Sequence, residues 1–278
     1  MEGQPSPGKV ISAFLMPHPP VILSEVGKGR ESAASATIAA CKAVAKLIAG
    51  QRIDTLVVVS PHAPLFADYV FVYDSPILSG SLARFGAPAL APSCAQDTEL
   101  RAAIVELLGE AGISSGSINR DRMERYGFDT ALDHGVLVPL CFALEALGHC
   151  HLVALAPAGG RREDNLTLGQ CISAAAARTS RRVCVIASGD MSHMVNAESP
   201  YGMVREGAEF DGMITGALDS SDIPSLLAVE PSLAEKAGEC GYRSILVAAG
   251  LFEHPRSRLL SYEAPFGIGY CVAEISPG

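Results

Sequence analysis

Lys9-Val10-Ile11-Ser12-Ala13-Phe14-Leu15-Met16 runs without a break into Pro17-His18-Pro19-Pro20. The first eight residues are almost all apolar and read as a buried strand. Proline cannot continue a central strand, so His18 stands where the chain leaves the sheet, on a backbone stiffened from both sides. The same junction recurs further on. Thr55–Ser60 (TLVVVS) runs into Pro61-His62-Ala63-Pro64. A third apolar run, Arg182–Ser188 (RVCVIAS), passes into Gly189-Asp190-Met191-Ser192-His193. If these strands are parallel, three of the seven histidines meet at one carboxyl edge, which is where open α/β sheets bind ligands. A lone strand-end histidine reads as a structural residue bonded to a backbone carbonyl; two in matched proline frames and a third in an equivalent place point to a site.

The rest of the chain supports that topology. His151–Ala156 (HLVALA) is another buried run, and Tyr69–Tyr73 and Gly269–Ile275 are further candidate strands. Helical spacing of Ala and Leu covers Ser32–Ala49, Thr98–Ala111, Asp133–Leu147 and Asn165–Arg178, with Gly50 and Gly112 placed as left-handed caps for the first two. Residues 203–218 and 232–251 make the last third helix-rich. Strands alternating with helices predict one α/β domain over residues 1–278. Its central sheet is expected to be mostly parallel, or mixed, with helices on both faces and the metal site at the carboxyl edge of the strands.

Composition excludes several classes of function. A net charge of −9 argues against a nucleic-acid backbone or an anionic membrane as partner. Met1–Lys9 is polar, the apolar run after it is short, and no stretch reaches the roughly 18 apolar residues of a membrane span. Eight cysteines without a C-x-x-C pair read as small buried hydrophobes in a reducing compartment, so the expected location is the cytoplasm. A homodimer is the default expectation for this size class. Zinc-finger patterns, a phosphate-binding loop and a dinucleotide fingerprint are absent. The single G-x-S-x-G, Gly112–Gly116, follows a helix rather than a strand and lacks the context of a nucleophile elbow.

Two neutral imidazoles on a divalent metal call for a third, anionic ligand. Glu239, between Gly238 and Cys240-Gly241, is the candidate; Cys240 is a rival at the next position. His134 opens a helix behind Asp133, an ordinary N-cap residue, and by itself reads as structural. His149, His151 and His254 read as structural or surface residues. Arg125, Tyr126, Tyr201, Tyr242 and Arg243 are candidate substrate contacts, each with an equally good surface or core explanation.

In this order and spacing, Pro17-His18-Pro19-Pro20, Ser60-Pro61-His62, Leu132-Asp133-His134-Gly135, Ser188-Gly189-Asp190-Met191-Ser192-His193 and Glu239 resemble the class III extradiol ring-cleavage dioxygenases. That family includes the catalytic subunit of protocatechuate 4,5-dioxygenase. The resemblance implies Fe(II) held by His18, His62 and Glu239, His193 as acid/base, and His134 lining the oxygen and substrate pocket. The implied reaction opens the ring of a catecholic substrate with O2. The chain also resembles Memo-like proteins of the same superfamily, which keep the fold and a metal pocket and in some cases replace the carboxylate by Cys. A hydrolase carrying Zn(II) on the same ligands is the third alternative.

Overall fold

A computed structural model describes residues 8–118 and 120–278; most of the Met1–Lys9 stretch lies outside them. Its ten described strands are β1 (Lys9–Met16), β2 (Thr55–Val59), β3 (Val70–Phe71), β4 (Ile77–Ser79), β5 (Ser93–Gln96), β6 (Ser115–Gly116), β7 (His151–Leu155), β8 (Arg182–Ser188), β9 (Pro255–Glu263) and β10 (Tyr270–Pro277). The described helices are α1 (Ser24–Gly27), α2 (Ser35–Gly50), α3 (Thr98–Glu110), α4 (Arg120–Arg125), α5 (His134–Leu147), α6 (Glu163–Arg178), α7 (Arg205–Ser220), α8 (Ile223–Leu227), α9 (Pro231–Ala237) and α10 (Tyr242–Gly250).

Eight strands form one sheet in the order β4-β5-β7-β2-β8-β1-β10-β9. The run β5-β7-β2-β8-β1 is parallel throughout, and β4 and β10 are antiparallel to their inner neighbours. The expected mixed, mostly parallel sheet is therefore present. Strand side chains alternate between two cores. Val57 and Val59 join one hydrophobic cluster with α3, α6, α7 and α10; Leu56 and Val58 join the other with α2 and α5. Near-continuous apolar runs are what a sheet covered on both faces requires.

Some boundaries differ from expectation. Val70–Phe71 pairs with Ser115–Gly116 in a separate two-stranded ribbon rather than joining the main sheet. Gly112 does take the left-handed conformation (φ 79°), but Gly50 remains helical and Arg52 (φ 51°) turns the chain instead. Arg30–Gly50 is long and apolar enough to cross a membrane by length and composition; here it packs its Thr37, Cys41, Val44 and Ile48 side into the core. The helix-rich stretch 232–251 is broken after α9, where Gly238 (φ 61°) caps with a left-handed turn. That break frees residues 239–241 to enter the site.

Candidate metal centre

The register of the parallel strands aligns their ends. Met16 on β1 lies opposite Ser188 on β8, and Val59 on β2 lies opposite Ala187. His18, His62 and His193 follow those ends, so their imidazoles arrive at one edge. His18 Nε2 and His62 Nε2 are 3.0 Å apart. His134 joins from the start of α5, its ring centroid 4.1 Å from His62 and 5.3 Å from His18.

Buried partners set the orientation of His18. Its backbone N–H donates to Asp190 Oδ1 at 3.0 Å, and its Nδ1 lies 2.8 Å from Ser188 Oγ. The single hydroxyl proton of Ser188 is committed to the Gly135 carbonyl at 2.5 Å. His18 Nδ1 must therefore be the donor to Ser188, which leaves Nε2 with a bare lone pair facing His62. Gly135 has to be glycine, because a Cβ there would run into Ser60 Oγ and Asp133 Oδ1.

Asp133 is the N-cap expected for α5, accepting from Gly135 N at 2.8 Å and Val136 N at 3.2 Å. It does more than cap. Ser60 Oγ donates to it at 2.6 Å and Tyr73 Oη at 3.0 Å, which ties the end of β2 to the start of α5 and so His62 to His134.

The third member of the cluster comes from the break between α9 and α10. Cys240 Sγ lies 3.6 Å from His18 Nε2 and 3.8 Å from His193 Nε2. Among the described residues, His18, His62 and Cys240 offer ligand atoms all within 4.8 Å of one another. Glu239, expected as the third ligand, is not brought into this group. Its Oε2 accepts the Tyr242 N–H at the start of α10 at 2.6 Å. The physical cause is a close crossing of two loops. A Cβ on Gly189 would collide with Gly241 Cα, and Gly241 N donates to Asp190 O at 2.9 Å. With Gly241 pinned there, Cys240 faces the imidazoles and Glu239 faces α10.

Burial disfavours charge throughout the cluster. It holds His18 well below the ordinary imidazole range, helped by repulsion from His62, His134 and His193. Burial lowers His62 too, against the pull of Asp133, and brings His134 to about 4. His193 is lowered by burial and by His62. Burial raises Asp190 to about 7 although it accepts the His18 N–H. Burial, then the neighbouring Asp190, raises the Cys240 thiol well above its ordinary value. Glu239 is pushed up to about 7 by burial, opposed by the Tyr242 N–H and by Arg243 and Arg162.

Neutral imidazoles beside a thiol, with the His18 lone pair fixed by Ser188, suit a divalent cation. Nitrogens about 2.1 Å from a common ion stand about 3.0 Å apart at a right angle, and a thiolate at about 2.3 Å stands about 3.6 Å from a nitrogen at an angle of about 110°. The observed 3.0 and 3.6 Å match.

A cavity of about 520 Å³ adjoins the centre and is bordered by His62, His134, Phe85, Phe128, Leu137 and Arg84. The Phe85 ring lies 5.3 Å from the His134 ring. On the other side Tyr201 covers His193, with ring centroids 5.6 Å apart and planes at 30°. Of the other contact candidates, Tyr242 is buried with its hydroxyl on Leu226 O, and Arg243 holds the Ala158 and Gly160 carbonyls. Arg125 and Tyr126 are exposed, as are His149, His151 and His254. Ser188, Asp190 and Phe85 escaped the sequence reading. The first two lie inside the quoted Ser188–His193 motif, which offered a signal; nothing local marks Phe85.

The sequence profile of the catalytic LigB subunit of aromatic ring-opening dioxygenase matches residues 12–273. The chain belongs to this family. Over 264 residues it is 32% identical to Protein CA_C1420 of Clostridium acetobutylicum, covering 94% of this chain and 56% of that protein. The LigB-type chain thus spans little more than half the length of this relative. The crystal structure of uncharacterized protein JW3007 from Escherichia coli K12 superposes with a TM-score of 0.62 at 14% identity, covering 95% of this chain and 99% of that one. At that identity the likeness shows the fold alone. It extends the doubly covered α/β sheet to a second LigB-sized chain.

Proposed function

We propose that this chain is a metal-dependent oxygenase that opens the ring of a small catecholic substrate with O2, at a centre of His18, His62 and Cys240. One observation carries the reading: the family's strand-end histidines converge with a third donor atom beside a cavity walled by His134 and Phe85. When bound, Fe(II) would supply the point at which a catecholate and O2 meet and exchange electrons. His193 Nε2, 3.8 Å from Cys240 Sγ and 4.0 Å from Asp190 Oδ2, takes the catechol hydroxyl proton and later returns it. Asp190, raised to about 7 by burial, is matched to share that proton near neutrality. His134, kept neutral by burial, offers a hydrogen bond to charge developing next to it in the cavity.

Cys240 favours a second reading, the Memo-like one: the same fold and metal pocket without ring cleavage. A thiolate in place of a carboxylate is a softer ligand and suits Cu, Fe or Zn. Anaerobic metal loading, followed by oxygen uptake over a panel of catechols, separates the two. Stoichiometric oxygen consumption with a yellow ring-opened product supports the dioxygenase. Metal-replete protein inert towards every catechol supports the Memo-like reading, and retention of Zn(II) alone leads to the hydrolase. A cytoplasmic location and a homodimer belong to the same proposal; fractionation and light scattering test them.

A further inference from the structure

The amino-terminal edge of the sheet, opposite the metal centre, carries a second group of reactive side chains. Cys94 on β5 and Cys150, just before β7, have their sulfurs 4.0 Å apart. The pairing of β5 with β7 explains the contact. Ala95 lies opposite His151 in parallel register, so the residue before each, Cys94 and Cys150, are opposite one another as well. Adjacent strands run about 4.8 Å apart, and opposite residues point to the same face. That separation falls inside the Cα range of about 4.4–6.8 Å over which a disulfide closes. Rotation about the side-chain bonds covers the remaining approach of the sulfurs. The pair is also within reach of a reagent. Cys94 is buried, but Cys150 is partly exposed and borders an open cavity of about 610 Å³ shared with His149, Asp97 and Arg181.

We propose that Cys94 and Cys150 form an oxidative modification site, a dithiol that a small oxidant such as a peroxide or an azo compound converts to an intramolecular disulfide. The other cysteines make no such contact: all eight are free thiols, and Cys94–Cys150 is the sulfur–sulfur pair in contact among the described residues. The S–H shared between the two sulfurs favours ionisation of one of them, and Cys150 is the sulfur that borders the cavity, so the Cys150 thiolate meets the oxidant first. It adds to the oxidant, and the Cys94 sulfur beside it then displaces that adduct. Two S–H bonds are lost and one S–S bond forms. Two electrons and two protons pass to the oxidant: diamide becomes its hydrazine, or hydrogen peroxide becomes two waters. The bridge would enclose the segment that holds α3, His134 and the Phe128 and Leu137 side of the cavity, and so restrain the unfolded chain more than the folded one.

The test treats the full-length chain with diamide, then counts thiols and maps peptides without reduction. The expected result is loss of two of the eight thiols, restored by dithiothreitol, and a rise in Tm of about 5 °C. Trypsin leaves Cys94 in the peptide of residues 85–101 and Cys150, with Cys141, in that of residues 126–161. Fragmentation of the linked pair should place the bridge on Cys150. Cys150→Ser should lose no thiols under the same treatment. Eight thiols surviving in the wild type, a bridge to Cys141 or Cys240, or the same loss in Cys150→Ser would each overturn the proposal. If Cys150→Ser does not fold, the map of the wild-type bridge decides alone.

Discussion

Replacing Cys240 and replacing Glu239 should have opposite consequences, although the two residues are neighbours. Cys240 Sγ stands 3.6 Å from His18 Nε2, whereas Glu239 Oε2 is held by the Tyr242 N–H at 2.6 Å. A structural metal site of four ligands is worth about 10–16 kcal/mol, so one ligand carries roughly 2.5–4 kcal/mol. Cys240→Ala should therefore weaken Fe(II) or Co(II) binding by about 10²–10³-fold while leaving the fold intact. Glu239→Ala removes an acceptor at the first turn of α10, a loss of about 0.5–2 kcal/mol. It should lower Tm by about 2–6 °C and leave metal affinity within about threefold. Anaerobic titration with Co(II) reads both, because a thiolate ligand gives a near-ultraviolet charge-transfer band that a carboxylate does not. Circular dichroism and a thermal melt report the fold. If Glu239→Ala loses stoichiometric metal while Cys240→Ala keeps it, the side chains exchange places on metal binding, and the assignment of Cys240 is refuted.

Metal affinity should rise with pH through the Cys240 thiol, which burial and Asp190 hold protonated. Binding needs the thiolate, so affinity should climb about tenfold per pH unit from about 6 to 8. His18 and His62, whose pKa values are lowered, are already neutral there and add no slope; in Cys240→Ala the slope should flatten to what Asp190 and Glu239, both raised to about 7, contribute. Ser188→Ala removes the hydroxyl that fixes the His18 tautomer, and competition titration should show a loss of about 10–100-fold in metal affinity. His193→Ala should keep its metal and fold yet lose about 10²–10⁴-fold in oxygen-uptake rate, with His134→Ala milder; loss of metal would make His193 a ligand, and normal turnover would make it structural.

The fold and the convergence of the strand-end histidines were legible in the chain because their signals are local. An apolar β-branched run followed by Pro-His is both a strand and its end, so His18, His62 and the edge they share could be read without coordinates. Asp133 as an N-cap was equally local, since the cap and the N–H groups it serves lie within three residues. The antiparallel edges were harder to see. β9 has half-buried and exposed positions but no buried one, and β4 is three residues long with a single buried side chain.

Which of two adjacent residues faces the histidine cluster was beyond any local reading. Glu239 and Cys240 both have metal-binding chemistry, and a rotation of the backbone by one residue would exchange them. The choice is made by the left-handed turn at Gly238 and by the contact of Gly241 with Gly189 at the end of β8. The tautomer of His18 is decided in the same way, by Ser188 and a carbonyl on α5. Periodicity and composition describe neighbours along the chain; the direction a side chain faces at a crossing of distant loops depends on contacts that exist only once the sheet has brought those loops together.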